Sequence, residues 1–399
     1  MAEQTSLNIG DRGLVGQDRA RERIRRILSS GRMGHAYLLT GPAGSGKKAL
    51  ALAFAEAING VSNLTELGEL SRSRKSSWFN HPDIHMFLPI PSKLNLEEMR
   101  SRLQMLDEDP YEIVDFSIRP SLEQESSENR QTFYPIDYFR ETIKPAAMLK
   151  PNEGEKTIIV LDEVDRMKKE AANAFLKLLE EPSPNLMFVL TSSHPENLLS
   201  TIISRCQIVQ LQPLTAGEIE RGLIELDGQN EKNARYLARI SDGNFALTRF
   251  YDIDTLKQTR EEIITFLRSA YRNKAPDLIE IIEEWNGRFN IEGKHGLMNI
   301  IETFVRDLII YKATRNEEAI TNIDQIEVIK NIVGSLQNAR LEDMINEIAK
   351  LKPSLLQNVQ FKYILTVLAF RFRSLMSGRQ PYIDSGDTWK HIPAFESQE

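Results

Sequence analysis

One cysteine in 399 residues leaves no partner for a disulfide within the chain and excludes a zinc site built from several cysteines. Long apolar runs are missing as well. None approaches the ~18 residues of a membrane helix, and the opening stretch MAEQTSLNIGDRG lacks the apolar core of a signal peptide. No membrane partner is expected, and the cytoplasm is the default compartment. An excess of positive charge is absent too: the net charge of −7 argues against a protein that coats nucleic acid alone, while leaving room for a local basic face. What remains is an ordinary soluble composition, 41% hydrophobic and 27% charged, in a chain long enough for two or three domains.

The most informative stretch is Gly41-Pro42-Ala43-Gly44-Ser45-Gly46-Lys47-Lys48. It follows the apolar run 36–39 and opens a helical pattern, which is the strand, glycine-rich loop and helix of a P-loop. Glycines at 41, 44 and 46 let backbone N–H groups turn inward around phosphate oxygens, with Ser45 between them. The helix N-terminus adds partial positive charge, and Lys47 reaches the terminal phosphates. The pattern ends in Lys48, where a serine or threonine hydroxyl ordinarily holds magnesium. An ammonium group has no lone pair for a cation and repels it.

The second half of such a site is the apolar run 157–161 followed by Asp162 and Glu163. In P-loop NTPases the aspartate there holds magnesium and the adjacent glutamate polarises the attacking water. A strand at 186–190 delivers Thr191, Ser192 and Ser193 at its C-terminal end, where α/β sheets bind ligands. With 84–87 and 208–211 the runs make five strands separated by helix or loop, which predicts a parallel α/β sheet over the first ~212 residues. Residues 94–106 and 136–144 carry helical patterns, the second ended or kinked by Pro145. Residues 169–181 form a helix with Ala174, Phe175, Leu178 and Leu179 on its buried side, stopped by Pro182 and Pro184.

Other features carry less. Arg19, Arg21, Arg23, Arg25 and Arg26 lie on a helical stretch at 17–32 and read either as a solvated face or as a contact for a phosphate backbone. His81 and His85 are four apart, but Pro82 between them breaks the helix a metal pair would need. Residues 90–133 look like an insertion, with a polar loop at 123–129 and no assignable chemistry. Beyond Leu214 only helices are expected: a small unit at 215–250, then 253–376, where Phe361, Ile364, Leu365, Leu368 and Phe372 form an apolar stripe. The polar tail from Gly378 is expected to be disordered, with Trp389 as an unassigned aromatic.

Several separated motifs together resemble the clamp-loader branch of the AAA+ ATPases, and within it the delta-prime subunits of bacterial DNA polymerase III. They are Val15-Gly16-Gln17, residues 34–38, the P-loop, Asn80-His81-Pro82-Asp83, Asp162-Glu163, the run 173–182 (NAFLKLLEEP) and Ser204-Arg205-Cys206, in that order. The resemblance implies an AAA+ P-loop domain with a five-stranded parallel sheet at 1–212, a helical lid at 213–252 and an all-helical collar at 253–377. It places Val15 near the adenine and Ser193 at the sensor that reads the γ-phosphate. It makes Arg205 an arginine finger directed into a neighbouring subunit's ATP site, where a guanidinium stabilises the charge that builds on the transferred phosphoryl group. ATP or ADP is the cofactor the loop can take; Lys48 argues against Mg2+, and no zinc is expected. The implied partners are the gamma/tau and delta subunits and, through the assembled complex, the sliding clamp and primed DNA.

The chain departs from the motor subunits of that branch at Lys48, at Ala246, which stands where active relatives carry a second phosphate-sensing arginine, and in its single cysteine. Asp162 and Glu163 (the latter a vestigial catalytic candidate) favour the alternative, an ATP-hydrolysing gamma/tau-like motor. A branch-migration helicase is a third reading. The expectation is a non-motor subunit with little hydrolysis of its own.

Overall fold

The computed structural model describes residues 13–61, 77–92, 96–117, 131–251, 253–356 and 359–380. The polar loop at 123–129 and the tail from 381, with Trp389, lie outside the described residues. Chain contacts divide the protein into two units that meet in sequence at Asp252 and Ile253.

In the first unit, helix α1 (Asp18–Ser29) precedes β1 (Ala36–Thr40), the P-loop and α2 (Lys47–Ile58). Strand β2 (Ile84–Phe87) follows, then the short pair β3 (Ile90–Pro91) and β4 (Thr132–Phe133) flanking α3 (Leu96–Glu108). After α4 (Ile136–Tyr138) and α5 (Lys144–Ala147) come β5 (Thr157–Leu161), α6 (Lys169–Glu180), β6 (Leu186–Ser192), α7 (Ser200–Ile203) and β7 (Gln207–Gln210). The main sheet has five strands in the order β2-β5-β6-β1-β7, all parallel. Strands β1, β5 and β6 are buried along their whole length, because helices cover both faces. One core packs α1 and α2 against one face, with Tyr37, Phe54, Val160 and Val189; the other packs α6 and its neighbours on the opposite face, with Phe139, Phe175 and Phe188.

Three local results differ from the sequence reading. The helical run from Ile136 does not end at Pro145: it continues to Ala147 after a wide π turn at Phe139–Ile143. That turn ends two residues before Pro145, which has no N–H to give the ladder. On α6 the fully buried residues are Ala171, Ala172, Phe175 and Leu179, so the apolar stripe is rotated toward the N-terminus, and Ala174 and Leu178 are half-buried. The β3–β4 pair, two residues on each side, is too short to leave a periodic signal.

Helices α8 (Ala216–Asp227) and α9 (Glu231–Ile240) pack on each other after β7. A capping box closes the start of α8: the Thr215 side chain accepts from the Glu218 N–H, and the Glu218 carboxylate accepts from the Thr215 N–H. A 3-10 segment, Phe245–Phe250, completes the unit.

The second unit is helical throughout its described residues: α10 (Ile253–Arg272), α11 (Ala275–Arg288), α12 (Ile291–Thr314), α13 (Ile326–Ser335), α14 (Leu341–Leu351) and α15 (Phe361–Met376). The five stripe residues of α15, from Phe361 to Phe372, are all buried, and α15 packs on α10, α11 and α14. Two polar networks fix it further. Glu262 accepts from the Trp285 indole at 2.7 Å and pairs with Arg288 at 2.7 Å. The buried Asp307 accepts from the backbone of Thr321 and Asn322 at 2.9 and 2.8 Å.

Candidate nucleotide site and its arginine

The candidate site lies where the neighbouring strands β5, β6 and β1 end, at the carboxyl edge of the sheet. Strand β1 runs into the P-loop, and Gly44 and Gly46 take positive φ values of 68° and 88°, which a side chain would strain. Gln17 ties the loop down: its side-chain amide donates to the Ser45 and Gln212 carbonyls and accepts from the Gln212 N–H at 3.1 Å. The Ser45 hydroxyl is buried and finds no hydrogen-bond partner among the described residues, and a methyl group at Gly41 would crowd it and Leu211.

Lys47 is buried and its ammonium is committed within the chain. It donates to the Pro42 carbonyl at 3.0 Å and to Ser193 Oγ at 2.8 Å, and lies 3.4 Å from Glu163 Oε1. Ser193 in turn donates its hydroxyl and its N–H to the two Glu163 oxygens, each at 2.8 Å. Glu163 itself adopts a left-handed backbone (φ 45°), a strained conformation for a residue with a Cβ, which those two bonds hold in place.

Lys48 resolves what replaces the missing hydroxyl. Its ammonium lies 3.4 Å from Asp162 Oδ2, while Asp162 Oδ1 accepts from Thr191 Oγ1 at 2.6 Å. The cation that a P-loop NTPase would recruit as a metal is thus supplied by the chain. Magnesium asks for a near-octahedral shell of oxygens, and here the position next to the carboxylate offers an ammonium group with no acceptor. The residues present fit a phosphate on Lys47 and the loop N–H groups, but they do not fit a metal.

Further hydrogen bonds support the site. The Tyr134 hydroxyl, fully buried, reaches the carbonyls of Phe87 and Asp162 at 2.9 and 2.7 Å, and burial holds its phenol well above the ordinary range. Asp83, from the Asn-His-Pro-Asp stretch, accepts from the backbone N–H groups of Asn152, Glu153 and Gly154 at 2.7–2.8 Å and so fixes the turn leading into β5.

The sequence-selected residues divide into two groups. Gly41, Gly44, Ser45, Gly46, Lys47, Lys48, Asp162, Glu163 and Ser193 gather at the strand ends. Val15 lies against Gly222. Arg205 stands apart, between α7 and β7. Its guanidinium donates to Glu180 Oε1 and to the Thr201 carbonyl, both at 2.8 Å, and to none of the cradle residues. It is a third exposed, and so is within reach of a second molecule. Its neighbour Cys206 has a thiol that burial pushes up to about 12. Sequence reasoning missed Glu180 as Arg205's partner and Tyr111 beside the P-loop; no periodicity or spacing signals either.

The chain is similar to known proteins along most of its length. The family described as DNA polymerase III, delta subunit, matches residues 16–215, and the family described as DNA polymerase III, delta subunit, C terminal, matches residues 255–373. The DNA polymerase III subunit delta' of Bacillus subtilis is 26% identical over 352 residues, covering 88% of this chain and 94% of that protein. Subunit tau of the same organism is 23% identical over 360 residues, covering 84% of this chain but 56% of that protein. A solved DNA polymerase III gamma subunit-related protein of Thermotoga maritima aligns with a TM-score of 0.39 at 15% identity, over 89% of this chain and 99% of that one. The chain belongs to the DNA polymerase III delta-subunit family.

Proposed function

We propose that this chain is a non-motor subunit of a replicative clamp loader in the cytoplasm. It assembles with gamma/tau and delta subunits, helps to place a sliding clamp on primed DNA, and directs Arg205 at the ATP held by a neighbouring subunit. In this reading 213–252 acts as the lid and 253–377 as the collar through which the subunits assemble.

One observation carries the reading: the two halves of the phosphoryl-transfer machinery are in opposite states. The chain's own cradle has its metal position taken by Lys48, whereas Arg205 is a third exposed and, among the described residues, bound to Glu180 and a carbonyl, a pairing that a phosphate can displace. A guanidinium is worth more there than a lysine because its planar fork matches phosphate oxygens in two places at once. The motor alternative needs Asp162 free for magnesium, and Asp162 is engaged by Lys48 and Thr191.

The test is reconstitution. Mixed with the gamma/tau and delta subunits of the same organism, this chain should co-elute as one complex that loads the clamp on primed DNA; a mixture lacking it should not load. A complex that forms and loads equally well without it would overturn the proposal.

A further inference from the structure

The insertion between β3 and β4 does more than decorate the sheet. Its stretch 109–117 lies beside the P-loop and is tied to the site at two points. On one side the Val15 N–H donates to the Tyr111 hydroxyl at 2.6 Å, and this bond is buried. The Tyr111 ring lies against the P-loop itself: a methyl group at Gly46 would meet it at 3.3 Å. It also packs edge-on against Phe245, centroids 4.7 Å apart. On the other side Asp115 pairs at 2.7 Å with Arg166, which ends the turn immediately after Asp162 and Glu163. Arg166 also donates to Ser117 and Thr132. Burial opposes charge on this pair, but each partner's charge outweighs it: Asp115 is held below the usual carboxylate range and Arg166 above its own.

The segment after α9 closes the remaining wall. The Phe245 N–H donates to the Gly44 carbonyl at 3.1 Å, and the Asn244 side chain fills the space over Gly44. Four groups that would greet a nucleotide therefore already have partners from within the chain, while the Ser45 hydroxyl has none among the described residues. Lys47 holds Ser193 and Glu163, Asp162 holds Lys48, and Val15 holds Tyr111.

We propose that Tyr111 is a built-in occupant of this crevice, so that a nucleotide enters only when the tyrosine leaves. The inference rests on reading the crevice as a P-loop nucleotide site, and it is independent of any role for Arg205. A planar ring whose polar end satisfies a backbone N–H at the edge of a P-loop is the kind of ligand a purine nucleotide would replace.

The experiment measures ADP binding without metal to the isolated full chain, to Tyr111→Ala and to Tyr111→Ala/Lys47→Ala. Removing the tyrosine should raise ADP affinity by about tenfold or more, the scale of one buried hydrogen bond plus a released ring. The second substitution should abolish the gain. Equal affinity in wild type and Tyr111→Ala overturns the proposal. A gain that survives Lys47→Ala also overturns it, and shows that the crevice is not a phosphate site. If Tyr111→Ala fails to fold, Tyr111→Phe keeps the ring and removes only the hydroxyl. Hydrogen exchange at the Val15 amide should then accelerate by about tenfold, and unchanged exchange overturns the latch.

Discussion

Lys48→Met lowers the stability of the chain by about 1–3 kcal/mol at neutral pH, and adding Asp162→Asn restores most of the loss. Lys48 and Asp162 face each other at 3.4 Å with side chains only 20% and 7% exposed. Their attraction is therefore poorly screened, and removing one partner strands the other charge in a site that excludes water. The full penalty of ~3–5 kcal/mol for breaking a buried pair is an upper bound, since Lys48 is partly exposed and Asp162 keeps its Thr191 bond. Urea denaturation of wild type, both single variants and the double variant closes a thermodynamic cycle. A coupling near zero would mean that Lys48 only excludes the metal and does not replace its charge.

Asp83→Asn should cost more, about 2–4 kcal/mol, because one carboxylate serves three backbone donors and bonds to a charged acceptor are the strong ones. The asparagine keeps one acceptor oxygen and turns an N–H group toward the remaining donors. The effect has a defined pH dependence. Burial alone would raise the Asp83 carboxyl, but the N–H groups of Gly154, Asn152 and Glu153, helped by His81, bring it below its ordinary value. A depressed carboxylate contributes its stability above the unfolded value of ~3.9, and the contribution fades as the pH falls through the lower native value. Urea midpoints of wild type and Asp83→Asn should thus lie far apart at pH 7 and converge in acid. A gap that persists unchanged in acid would show that shape, not charge, holds the 151–154 turn.

What the sequence could disclose follows from how local each signal is. The inner strands β1, β5 and β6 are legible because each is a continuous apolar run followed by polar residues, the mark of strands covered on both faces with a site at their ends, whereas β2 and β7 carry a weaker signal because His85 interrupts one and glutamines flank the other. The P-loop and the Asp162-Glu163 pair are legible for the same reason: their chemistry is written in consecutive residues. Lys48 could be read as the loss of a hydroxyl, but its ion pair with Asp162 joins residues more than a hundred positions apart and needs the sheet to bring them together. Tyr111 is harder still. It sits in a stretch without periodicity, and its partners Val15, Gly46 and Phe245 come from three separate segments. The Asn-His-Pro-Asp stretch could be matched to a family, but the work of Asp83 appears only once the 151–154 turn is folded above it.

Arg205 is the residue on which the functional reading depends. Its pair with Glu180 is partly exposed at both ends, so Arg205→Ala should leave the isolated chain within ~1 kcal/mol of wild-type stability, and an effect in the complex cannot be ascribed to unfolding. An arginine finger supplied from outside is worth about 10³–10⁵ in rate in GTPases. The decisive measurement is DNA-stimulated ATP hydrolysis by a loader reconstituted with Arg205→Ala in this chain alone. Silencing of the neighbouring site, and a turnover reduced by at least that site's share, is the result expected if Arg205 works in trans. A rate equal to that of the wild-type loader contradicts it.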